Sequence, residues 1–471
     1  STAFLVAEAF LKDELPGEEI RQVVEDSYNF DVPLERVYDR MFVMRLDRGP
    51  TASFKDFAAR MMARLMSRLR DRGKRLNVLV ATSGDTGSAV GEAFKGVEGI
   101  GVTILYPRNE VSGMQKKQLD TIGENVLALS VDGKFDDCQN LVKQAFSDSG
   151  LAQLNLTSAN SINFGRIMPQ SIYYVYAYAQ LAGPGEEIVF SVPSGNFGNA
   201  LGCEYARRMG LPVRMLVMPT NENDEFPNYL TAGTYEKVSP SRACLSNAMN
   251  VGHPSNLARF FDLYGGTVDR TGVVHAYPDI AEMRRRIFAV SVSDEETKKT
   301  IRRVWEQYRV LLEPHGAVGW RGLEHYLEAC CGPIAEPCVC LETAHPAKFP
   351  DEIVELLRIT PEVPQSMKDL EKRTGEAVEL PADYGRLRAF LLDTLGGILA
   401  ADPRSQHDSD YFLERRFARD VDEAEWLLDS VVALEAYLDR LLAARRQNLA
   451  AVAAGIERDG RLPSPDEWRP V

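Results

Sequence analysis

The chain has 471 residues, 45% of them hydrophobic and 26% charged, which is enough to bury a large core and to form roughly two to four domains. Its formal net charge of -14 argues against nucleic-acid binding, because that function needs a concentrated basic surface. No apolar run approaches the roughly 20 residues of a membrane-spanning helix, and the amino-terminal stretch lacks the basic start of a signal peptide. These features predict a cytoplasmic protein that binds neither membranes nor nucleic acids.

The first predicted elements lie on both sides of a loop rich in small residues. Residues 18–45 carry helical and then short extended patterns, which end at Gly49-Pro50. From Ser53 onward, the pattern predicts an amphipathic helix that stops at Gly73. The apolar positions that define its buried face are Phe57, Met61, Leu65 and Leu69.

Two series of short apolar strands follow. The first series reads NVLVAT (77–82), GVTILYP (101–107) and NVLALSV (125–131), with helical patterns at 86–95 and 136–147. The second reads EEIVFSVP (186–193), VRMLVMP (213–219) and CVCLET (338–343), with a helix over about 198–209. Such alternation predicts parallel sheets covered on both faces, and the long helical stretch 166–182 separates two α/β lobes. Ligands of such folds bind beyond the carboxyl ends of the strands.

The cysteines predict reduced thiols, because the chain has an odd number of them, seven, and no secretory signal. Four cysteines lie close together in sequence, namely Cys330, Cys331, Cys338 and Cys340. No CxxC spacing or spaced histidine pair accompanies them, and CVC lies in an apolar run. We therefore expect core thiols at these positions and no metal site.

Residues 394–471 are predicted to form a helical extension. Asp420 and Glu423 have the spacing of a helix-capping box. The apolar seam that follows consists of Leu427, Val431, Leu434, Leu438 and Leu441. This spacing is typical of a helical hairpin or short coiled coil that packs on the body of the protein or on a second subunit. We expect a monomer, or a homodimer formed through these helices.

Two loops between strands and helices offer backbone or hydroxyl groups to a ligand. The turn Gly195-Asn196-Phe197-Gly198 can hold a phosphate on free N–H groups, although many such turns are only tight connections. It lacks the G-x-G-x-x-G spacing, and no GxxxxGK[ST] occurs in the chain, which disfavours dinucleotide and P-loop sites. The segment TSGDTG, residues 82–87, can hold a carboxylate or can simply cap the next helix.

Two further segments carry cations. Lys55 lies in the first turn of a helix, where a positive charge is unfavourable. A surface lysine is the ordinary interpretation, whereas burial would lower the pKa of its amine and make it a Schiff-base nucleophile. Residues 160–166, NSINFGR, end in Arg166 and form either a phosphate clamp or a capped helix start.

Together and in this order, these segments resemble the threonine synthases, which are fold-type II pyridoxal-phosphate (PLP) enzymes. The resembling stretches, collinear over residues 5 to 393, are GPTASFKDFAARMMARL, VATSGDTGSAVGEAF, LYPRNEVSGMQ, FDDCQNLVKQAF, NSINFGRIMPQSIYYVYAYAQL, VPSGNFGNALGCEYARRMGLPV, LSNAMNVGHPSN, EPHGAVGWRGL and TAHPAKFPDEIVELL. The resemblance implies a two-lobed α/β fold like that of the tryptophan synthase β subunit. The larger lobe would comprise residues 1–75 and 184–393. The smaller lobe, which binds the substrate, would comprise residues 76–183, and residues 394–471 would form the helical extension.

The resemblance also implies roles for matching residues. Lys55 would carry PLP as a Schiff base and later move protons. The phosphate of PLP would be bound by Ser194, Gly195, Asn196, Phe197 and Gly198, while Asp85 would lie near its phenolic oxygen and Thr343 would face its pyridine nitrogen. The substrate carboxylate would be bound by Thr82, Ser83 and Thr86, and its phosphate by Asn160, Ser161 and Arg166. The implied reaction eliminates phosphate from O-phospho-L-homoserine and adds water at Cβ, giving L-threonine.

Departures from the family pattern leave other activities open. Arg48 stands where many members have histidine, Ala52-Ser53 replaces a more apolar pair, and the usual amino-terminal stretch does not appear in this sequence. The alternatives are a phospho-lyase that releases 2-oxobutanoate, an enzyme that adds another nucleophile at Cβ or Cγ, a serine/threonine dehydratase-like enzyme, and a non-catalytic binding protein. A dehydratase has no use for Arg166, and an idle protein would not be expected to keep Lys55 together with an intact cofactor turn.

Overall fold

The computed structural model describes residues 1–70, 74–183, 185–330 and 334–396. Its strands are β1 (Leu34–Tyr38), β2 (Met41–Arg45), β3 (Leu76–Ala81), β4 (Ile100–Pro107), β5 (Val126–Asp132), β6 (Leu156–Thr157), β7 (Ile188–Ser191), β8 (Val213–Thr220), β9 (Thr267–Val268), β10 (Val274–Ala276), β11 (Ile287–Ser291), β12 (Cys338–Glu342) and β13 (Val378–Pro381). Its α-helices are α1 (Thr2–Leu11), α2 (Gly17–Ser27), α3 (Lys55–Leu69), α4 (Asp85–Phe94), α5 (Gly113–Asp120), α6 (Phe135–Phe146), α7 (Ser171–Leu181), α8 (Gly198–Arg208), α9 (Glu225–Ala232), α10 (Leu257–Leu263), α11 (Ile280–Arg286), α12 (Asp294–Tyr308), α13 (Pro314–Ala329), α14 (Pro350–Leu357), α15 (Gln365–Lys368) and α16 (Tyr384–Leu391).

The larger sheet has six strands in the order β1-β2-β12-β7-β8-β11. From β2 to β11 every neighbouring pair is parallel, whereas β1 pairs antiparallel with β2. The carboxyl ends of β2, β12, β7 and β8 therefore lie along one edge of this sheet. The loops that follow these strands meet at that edge.

The smaller sheet has five strands in the order β13-β5-β4-β3-β6, and all its neighbouring pairs are parallel. Its central strands are apolar runs, because helices cover both faces of the sheet. One face packs against α3, α4 and α5 in a core that includes Val78, Val80 and Ile104. The other packs against α6 and α16 in a core that includes Leu79, Leu105 and Leu129. The predicted parallel α/β organisation is confirmed for both sheets.

Helix α3 lies between the two cores and begins with the lysine singled out from the sequence. Ala59 and Met62 pack into the core of the smaller sheet, while Met61 packs against α1 and α2. The helix begins at Lys55 and not at the predicted Ser53, because Ser53 forms a β-bridge with Ala344. The buried stripe also ends one turn early.

Leu69 is the position that breaks the predicted stripe. Its side chain is 53% exposed, whereas Phe57, Met61 and Leu65 are buried as expected. Leu69 is the last residue of α3, where no neighbouring element covers it in the described chain. The predicted end at Gly73 falls outside the described residues.

Two segments lie elsewhere than the boundaries expected from the sequence. Helix α7, assigned to the smaller lobe, packs Tyr173 and Tyr174 into the core of the larger sheet. Strand β13 and helix α16, assigned to the larger lobe, belong to the smaller sheet and its core. In both cases the segment joins the sheet against which its apolar face packs. The lobe boundaries expected from the sequence did not take this packing into account.

The remaining sequence expectations can be compared over the described residues. Cys338 and Cys340 are buried in β12, as expected for core thiols, whereas Cys330 is only half-buried at the end of α13 and Cys331 lies outside the described residues. The predicted helix over 166–182 is preceded by two 3-10 turns, Phe164–Arg166 and Met168–Gln170, and continues as α7. Within the described ranges, no helix is both long and apolar enough to cross a membrane. The predicted extension is described only to a π-helical turn, Leu392–Gly396; its capping box and apolar seam lie outside the described residues.

Candidate active site

Three adjacent strands of the larger sheet deliver the central groups of the site to one edge. Lys55 follows β2, Thr343 follows β12, and the turn at 194–198 follows β7. The loop after β2 is joined to the end of β12 by backbone hydrogen bonds. The N–H of Phe54 donates to the oxygen of Thr343 at 2.9 Å, and the N–H of His345 donates to the oxygen of Ala52 at 3.0 Å. Lys55 and Thr343 are therefore held next to each other.

The turn before Lys55 is closed by a buried carboxylate. Asp56 accepts hydrogen bonds from the backbone N–H and the hydroxyl of Thr51, at 2.8 and 2.7 Å. Burial raises the pKa of Asp56 to about 6, although these two hydrogen bonds oppose the increase. Ala52 has a positive φ of 56°, which costs a non-glycine residue on the order of 1 kcal/mol. These contacts fix the direction in which α3 starts.

The amine of Lys55 is desolvated and surrounded by other charges. Burial lowers the pKa of Lys55 to about 8, and the positive charges of Lys348 and Arg166 act in the same direction. Asp85 acts in the opposite direction. A larger fraction of the amine is therefore unprotonated near neutral pH than in an exposed lysine, which is the condition for a Schiff-base nucleophile.

A buried ion pair lies beside this amine and was not anticipated from the sequence. The Nζ of Lys348 donates to the Oδ1 of Asp85 at 2.9 Å, and neither side chain is more than 2% exposed. The Nε2 of Gln115 donates to the same oxygen at 2.9 Å. Burial would raise the pKa of Asp85, but the charges of Lys348 and Lys55 outweigh it and hold this pKa below its usual value. Asp85 is therefore a carboxylate with its charge compensated.

The turn at 194–198 has the geometry of an anion site. Phe197 adopts the left-handed conformation, with φ of 62°, and directly precedes α8. Within the described chain, the backbone N–H groups of Gly195, Asn196, Phe197 and Gly198 donate no hydrogen bond. A Cβ on Gly195 would lie 2.8 Å from the oxygen of Ala248, so this position has room only for glycine. Free amides before a helix suit a phosphate.

Residues 160–166 bring a buried cation to the same region. Arg166 is 3% exposed, and its Nη1 donates to the oxygen of Ala159 at 2.8 Å. Its Nε is buried without a hydrogen-bond partner in the described chain. Burial lowers the pKa of Arg166 to about 10, although Asp56 opposes the decrease. A buried guanidinium with an unused N–H favours an anionic ligand, because burying it without one is costly.

Asn160 and Ser161, at the start of the same loop, already use part of their hydrogen-bonding capacity on protein groups. The Nδ2 of Asn160 donates to the oxygen of Ala81 at 2.8 Å, which ties the loop to the end of β3. The hydroxyl of Ser161 lies 3.3 Å from that of Ser255. Asn160 therefore positions the loop through its amide, while its side-chain oxygen accepts no recorded bond from the described residues.

The hydroxyls at the start of α4 divide into two groups. The Oγ1 of Thr82 accepts hydrogen bonds from the N–H groups of Gly84 and Gly87, at 2.9 and 2.8 Å. This is the capping arrangement that was the structural alternative for this segment. Ser83 and Thr86 are partly exposed, and their hydroxyls form no recorded hydrogen bond with the rest of the described chain.

A loop that the sequence did not single out for chemistry also supports the turn at 194–198, which the sequence resemblance assigns to the cofactor (the cofactor turn). The N–H of Ala248, against which Gly195 packs, donates to the Nε2 of His315 at 3.1 Å. The Nδ1 of His315 lies 2.6 Å from a carboxylate oxygen of Glu313, so Nδ1 carries the proton. Sequence reasoning missed the supporting residues Lys348, Gln115 and His315, and also Asn256, whose Nδ2 donates to the backbone oxygen of Asn196 at 2.9 Å. The one signal in the sequence that could have indicated them is their position, inside the stretches that resemble the threonine synthases or next to the ends of predicted strands.

The residues at this edge fit PLP. A desolvated amine is present for its aldehyde, and a turn of free amides is present for its phosphate. Thr343 is buried directly after β12 with a neutral hydroxyl. Within the described residues, no group of three His, Cys, Asp or Glu side chains is arranged to hold a metal ion.

Comparison with known proteins identifies the family. Residues 32–343 match the family "Pyridoxal-phosphate dependent enzyme", and residues 316–391 match "Threonine synthase, C-terminal". The threonine synthase of Haemophilus influenzae is 38% identical over 386 residues, which cover 82% of this chain and 86% of that protein. The threonine synthase of Escherichia coli K12 is 37% identical over 398 residues, with the same two coverages of 82% and 86%.

A solved structure agrees with the sequence comparisons. The crystal structure of PLP-bound threonine synthase from Brucella melitensis is 34% identical to this chain, with a TM-score of 0.75. The match covers 83% of this chain and 87% of that one. The expected fold-type II architecture and the PLP cofactor are confirmed by these similarities. The chain belongs to the threonine synthase family of PLP-dependent enzymes.

Proposed function

We propose that this chain is a threonine synthase, which converts O-phospho-L-homoserine and water into L-threonine and phosphate. One arrangement carries the proposal: Lys55 and a turn of four free backbone amides follow strands β2 and β7 at the same edge of the larger sheet, and the buried guanidinium of Arg166 acts electrostatically on the Lys55 amine. Two anion sites beside one nucleophilic amine suit a phosphorylated cofactor and a phosphorylated substrate. The wider chemistry of the family, a PLP-dependent lyase reaction, follows from membership.

PLP would be held by four sets of residues. Lys55 would bind its aldehyde carbon, and Ser194, Gly195, Asn196, Phe197 and Gly198 would surround its phosphate. Asp85 would lie near the phenolic oxygen, and Thr343 would face the pyridine nitrogen. When bound, PLP withdraws electrons from the substrate's Cα; a neutral hydroxyl at the nitrogen makes this withdrawal weaker than a carboxylate would.

Lys55 would move protons once it is released from the cofactor. Its lowered pKa favours the free amine, which can accept a proton from Cα and, once that proton has been passed on and the amine is free again, a proton from Cβ. Lys348 keeps the local charge balanced, because its ammonium compensates Asp85 at 2.9 Å. The amine of Lys55 therefore does not face an uncompensated carboxylate, which would favour its protonated form.

Arg166, Asn160 and Ser161 would bind the substrate's phosphate. Arg166 offers a buried charge and an unused N–H, which would orient the phosphate. They would also stabilise the negative charge of the phosphate as it leaves Cγ. This stabilisation is strong because the guanidinium is shielded from water. Water then adds at Cβ.

The substrate's carboxylate would lie at the start of α4. Ser83 and Thr86 have hydroxyls that are free to donate, and the hydroxyl hydrogen of Thr82 also remains available after its oxygen has accepted two N–H groups. Holding the carboxylate here would direct the Cα–H bond towards Lys55. The smaller lobe would thus bind the substrate.

Lobe limits and assembly are part of the same proposal. The larger lobe would contain the six-stranded sheet together with α7, and the smaller lobe the five-stranded sheet together with β13 and α16. The helical extension predicted over residues 394–471, most of which lies outside the described residues, would pack on the body of the protein or on a second copy, giving a monomer or a homodimer. The partner in catalysis is a small phosphorylated amino acid.

One incubation separates the candidate activities. Purified PLP-loaded protein is mixed with O-phospho-L-homoserine, and phosphate, amino acids and keto acids are quantified over time. Equal amounts of phosphate and L-threonine are expected. Phosphate with 2-oxobutanoate would instead identify a phospho-lyase, and the absence of phosphate release would reject both. The Lys55→Ala variant serves as the control that shows turnover to depend on this amine.

A further inference from the structure

Asn256 contacts both anion loops of the site. It is completely buried and directly precedes α10. Its Nδ2 donates to the backbone oxygen of Asn196, in the cofactor turn, at 2.9 Å. The same nitrogen donates to the backbone oxygen of Ser161, in the substrate-phosphate loop, at 3.2 Å. An amide nitrogen has two hydrogens, so each loop uses one of them.

The side chain of Asn256 is itself held in place by a buried arginine. The Nη1 of Arg259 donates to the Oδ1 of Asn256 at 2.6 Å. The Nη2 of Arg259 donates to the oxygen of Ile162, next to Ser161, at 2.8 Å. The amide therefore cannot rotate without breaking hydrogen bonds on both its nitrogen and its oxygen.

The preceding residue repeats the same pattern. The N–H of Ser255 donates to the Oδ1 of Asn196 at 3.1 Å. The hydroxyl of Ser255 lies 3.3 Å from that of Ser161. Two consecutive residues thus each contact the cofactor turn and the substrate-phosphate loop, and the two loops follow strands of different sheets, β7 and β6.

We propose that Asn256 is a positioning residue that fixes the distance between the cofactor's phosphate and the substrate's phosphate. The inference rests on the proposed function, because it needs both loops to bind their anions. Without the two donated hydrogen bonds, the turn at 195–198 and the loop carrying Arg166 lose their buried link and are held together less tightly, through contacts such as those of Ser255. Cofactor retention and substrate binding then weaken together, although Asn256 touches neither ligand.

The test compares two asparagines in the full-length, PLP-loaded protein. Asn256→Ala removes the bridge, whereas Asn125→Ala removes a similar set of hydrogen bonds far from the site: Asn125 donates to the oxygens of Phe94 and Ile100 and accepts from Gly96. Loss of the yellow cofactor absorbance is followed after dilution into PLP-free buffer. KM and kcat are measured with O-phospho-L-homoserine, and the melting temperature records stability.

For Asn256→Ala, PLP release and KM should each rise about three- to tenfold, as expected for the loss of one hydrogen bond to each loop, with a smaller change in kcat. For Asn125→Ala, the melting temperature should fall while both quantities stay within about twofold. The inference is wrong if Asn256→Ala changes neither quantity or only one, or if Asn125→Ala changes both to the same extent.

A second variant covers the case in which Asn256→Ala does not fold. Asn256→Asp keeps the size of the side chain and the contact with Arg259, but it replaces both donated hydrogens with an acceptor facing two carbonyl oxygens. It should release PLP faster than the wild type, and an unchanged release rate would overturn the inference. The PLP-release measurement needs no substrate, so the two hypotheses can fail separately. A wild-type protein that does not turn over O-phospho-L-homoserine would reject the proposed function alone. An unchanged rate of PLP release in the Asn256 variants would reject only the positioning role of Asn256.

Discussion

Lys55 and Arg166 are cations in surroundings that disfavour charge, and the groups around them determine which reactions they support. Burial lowers the pKa of Lys55 to about 8 and that of Arg166 to about 10. Arg166 stays charged at neutral pH and can hold an anion. The pKa of Lys55 is close enough to neutral pH for its amine to both accept and release a proton, which suits it to proton transfer.

Removing the charge of Lys348 should make Lys55 a poorer nucleophile. Lys348 lowers the pKa of Lys55 and Asp85 raises it, so Lys348→Met leaves Asp85 unopposed and shifts this pKa upward. The pH at which PLP-free protein takes up PLP at half its maximal rate should therefore rise. Lys348→Arg, which keeps the charge, should stay near the wild type. An unchanged or lower midpoint in Lys348→Met would contradict the charge assignment.

Asp85→Asn provides the opposite test of the same ion pair. It removes the charge that favours the protonated amine, so the midpoint for PLP uptake should fall below that of the wild type. The double variant Asp85→Asn/Lys348→Met removes both charges, and its midpoint should lie between those of the single variants. If both single changes shift the midpoint in the same direction, the effect is structural.

Arg166→Met should selectively impair phosphorylated substrates. Removing one partner of a buried charged contact costs about 2–5 kcal/mol, which corresponds to roughly one and a half to three and a half orders of magnitude in kcat/KM for O-phospho-L-homoserine. Residual turnover of free L-serine or L-threonine, which lack the phosphate, should change much less. Equal losses for both kinds of substrate would remove the phosphate-clamp argument.

The sequence could nominate single residues, but not what surrounds them. Lys55, Arg166 and the turn at 195–198 could be named because the segments around them resemble the threonine synthases; taken alone, each segment also had a purely structural interpretation. Lys348 could not, because its partner Asp85 is distant in sequence and the pairing depends on how the two sheets approach each other. The structural interpretation of Thr82 as a cap also needed the positions of the N–H groups of Gly84 and Gly87.

At the scale of elements, the loop between α9 and α10 is held by close backbone contacts. Val238 and Gly252 pair through a hydrogen bond of 2.9 Å from the N–H of Val238 to the oxygen of Gly252. A Cβ on Gly252 would lie 1.8 Å from the oxygen of Val238. The chain can approach itself this closely only at glycine, and the approach determines where Ser255 and Asn256 lie.

Gly252→Ala should therefore displace the loop and weaken cofactor binding. The clash with backbone atoms cannot be relieved by a rotamer change, so we expect a destabilisation of about 1–3 kcal/mol, measured by urea unfolding, and faster release of PLP. The matched control is Gly113→Ala at the exposed start of α5, where an added Cβ meets no atom within 4 Å. Equal behaviour of the two variants would contradict this account of the loop.

The predictability of the elements followed the strength of their apolar patterns. Strands β3, β4, β5, β7, β8 and β12 are buried on both faces and could be recognised as apolar runs. Strand β13 is mostly exposed, with only Leu380 buried, so it has no such signal. Its role comes from pairing with β5, a partner that local sequence cannot identify.

At the scale of the whole molecule, the chain returns to the smaller sheet after it has completed the larger one. Leu380, Leu387, Leu391 and Leu395 are buried in the core that covers one face of the smaller sheet. The last described segment therefore completes a core whose first buried residue in the chain is Leu79. The sequence predicted two lobes correctly, but hydrophobic patterns alone do not record which sheet a late segment joins.

Truncation should distinguish this closing segment from the residues beyond it. A chain ending at Gly396 keeps all four leucines and should retain kcat/KM within about twofold, while its assembly state or melting temperature changes. A chain ending before β13 lacks the four leucines and exposes the core that they cover. Each lost leucine lowers the free energy of unfolding by roughly 2 kcal/mol, so the smaller lobe should lose its fold. Lost catalysis in a well-folded chain ending at Gly396 would contradict the expected division.

Chemical trapping tests whether the amine of Lys55 carries the cofactor. Purified PLP-loaded protein is reduced with borohydride, digested, and analysed by mass spectrometry for the peptide that contains the reduced cofactor. We expect the modification on Lys55 alone, and its loss in Lys55→Ala. Modification of Lys348, its buried neighbour, or of any other lysine in place of Lys55 would contradict it.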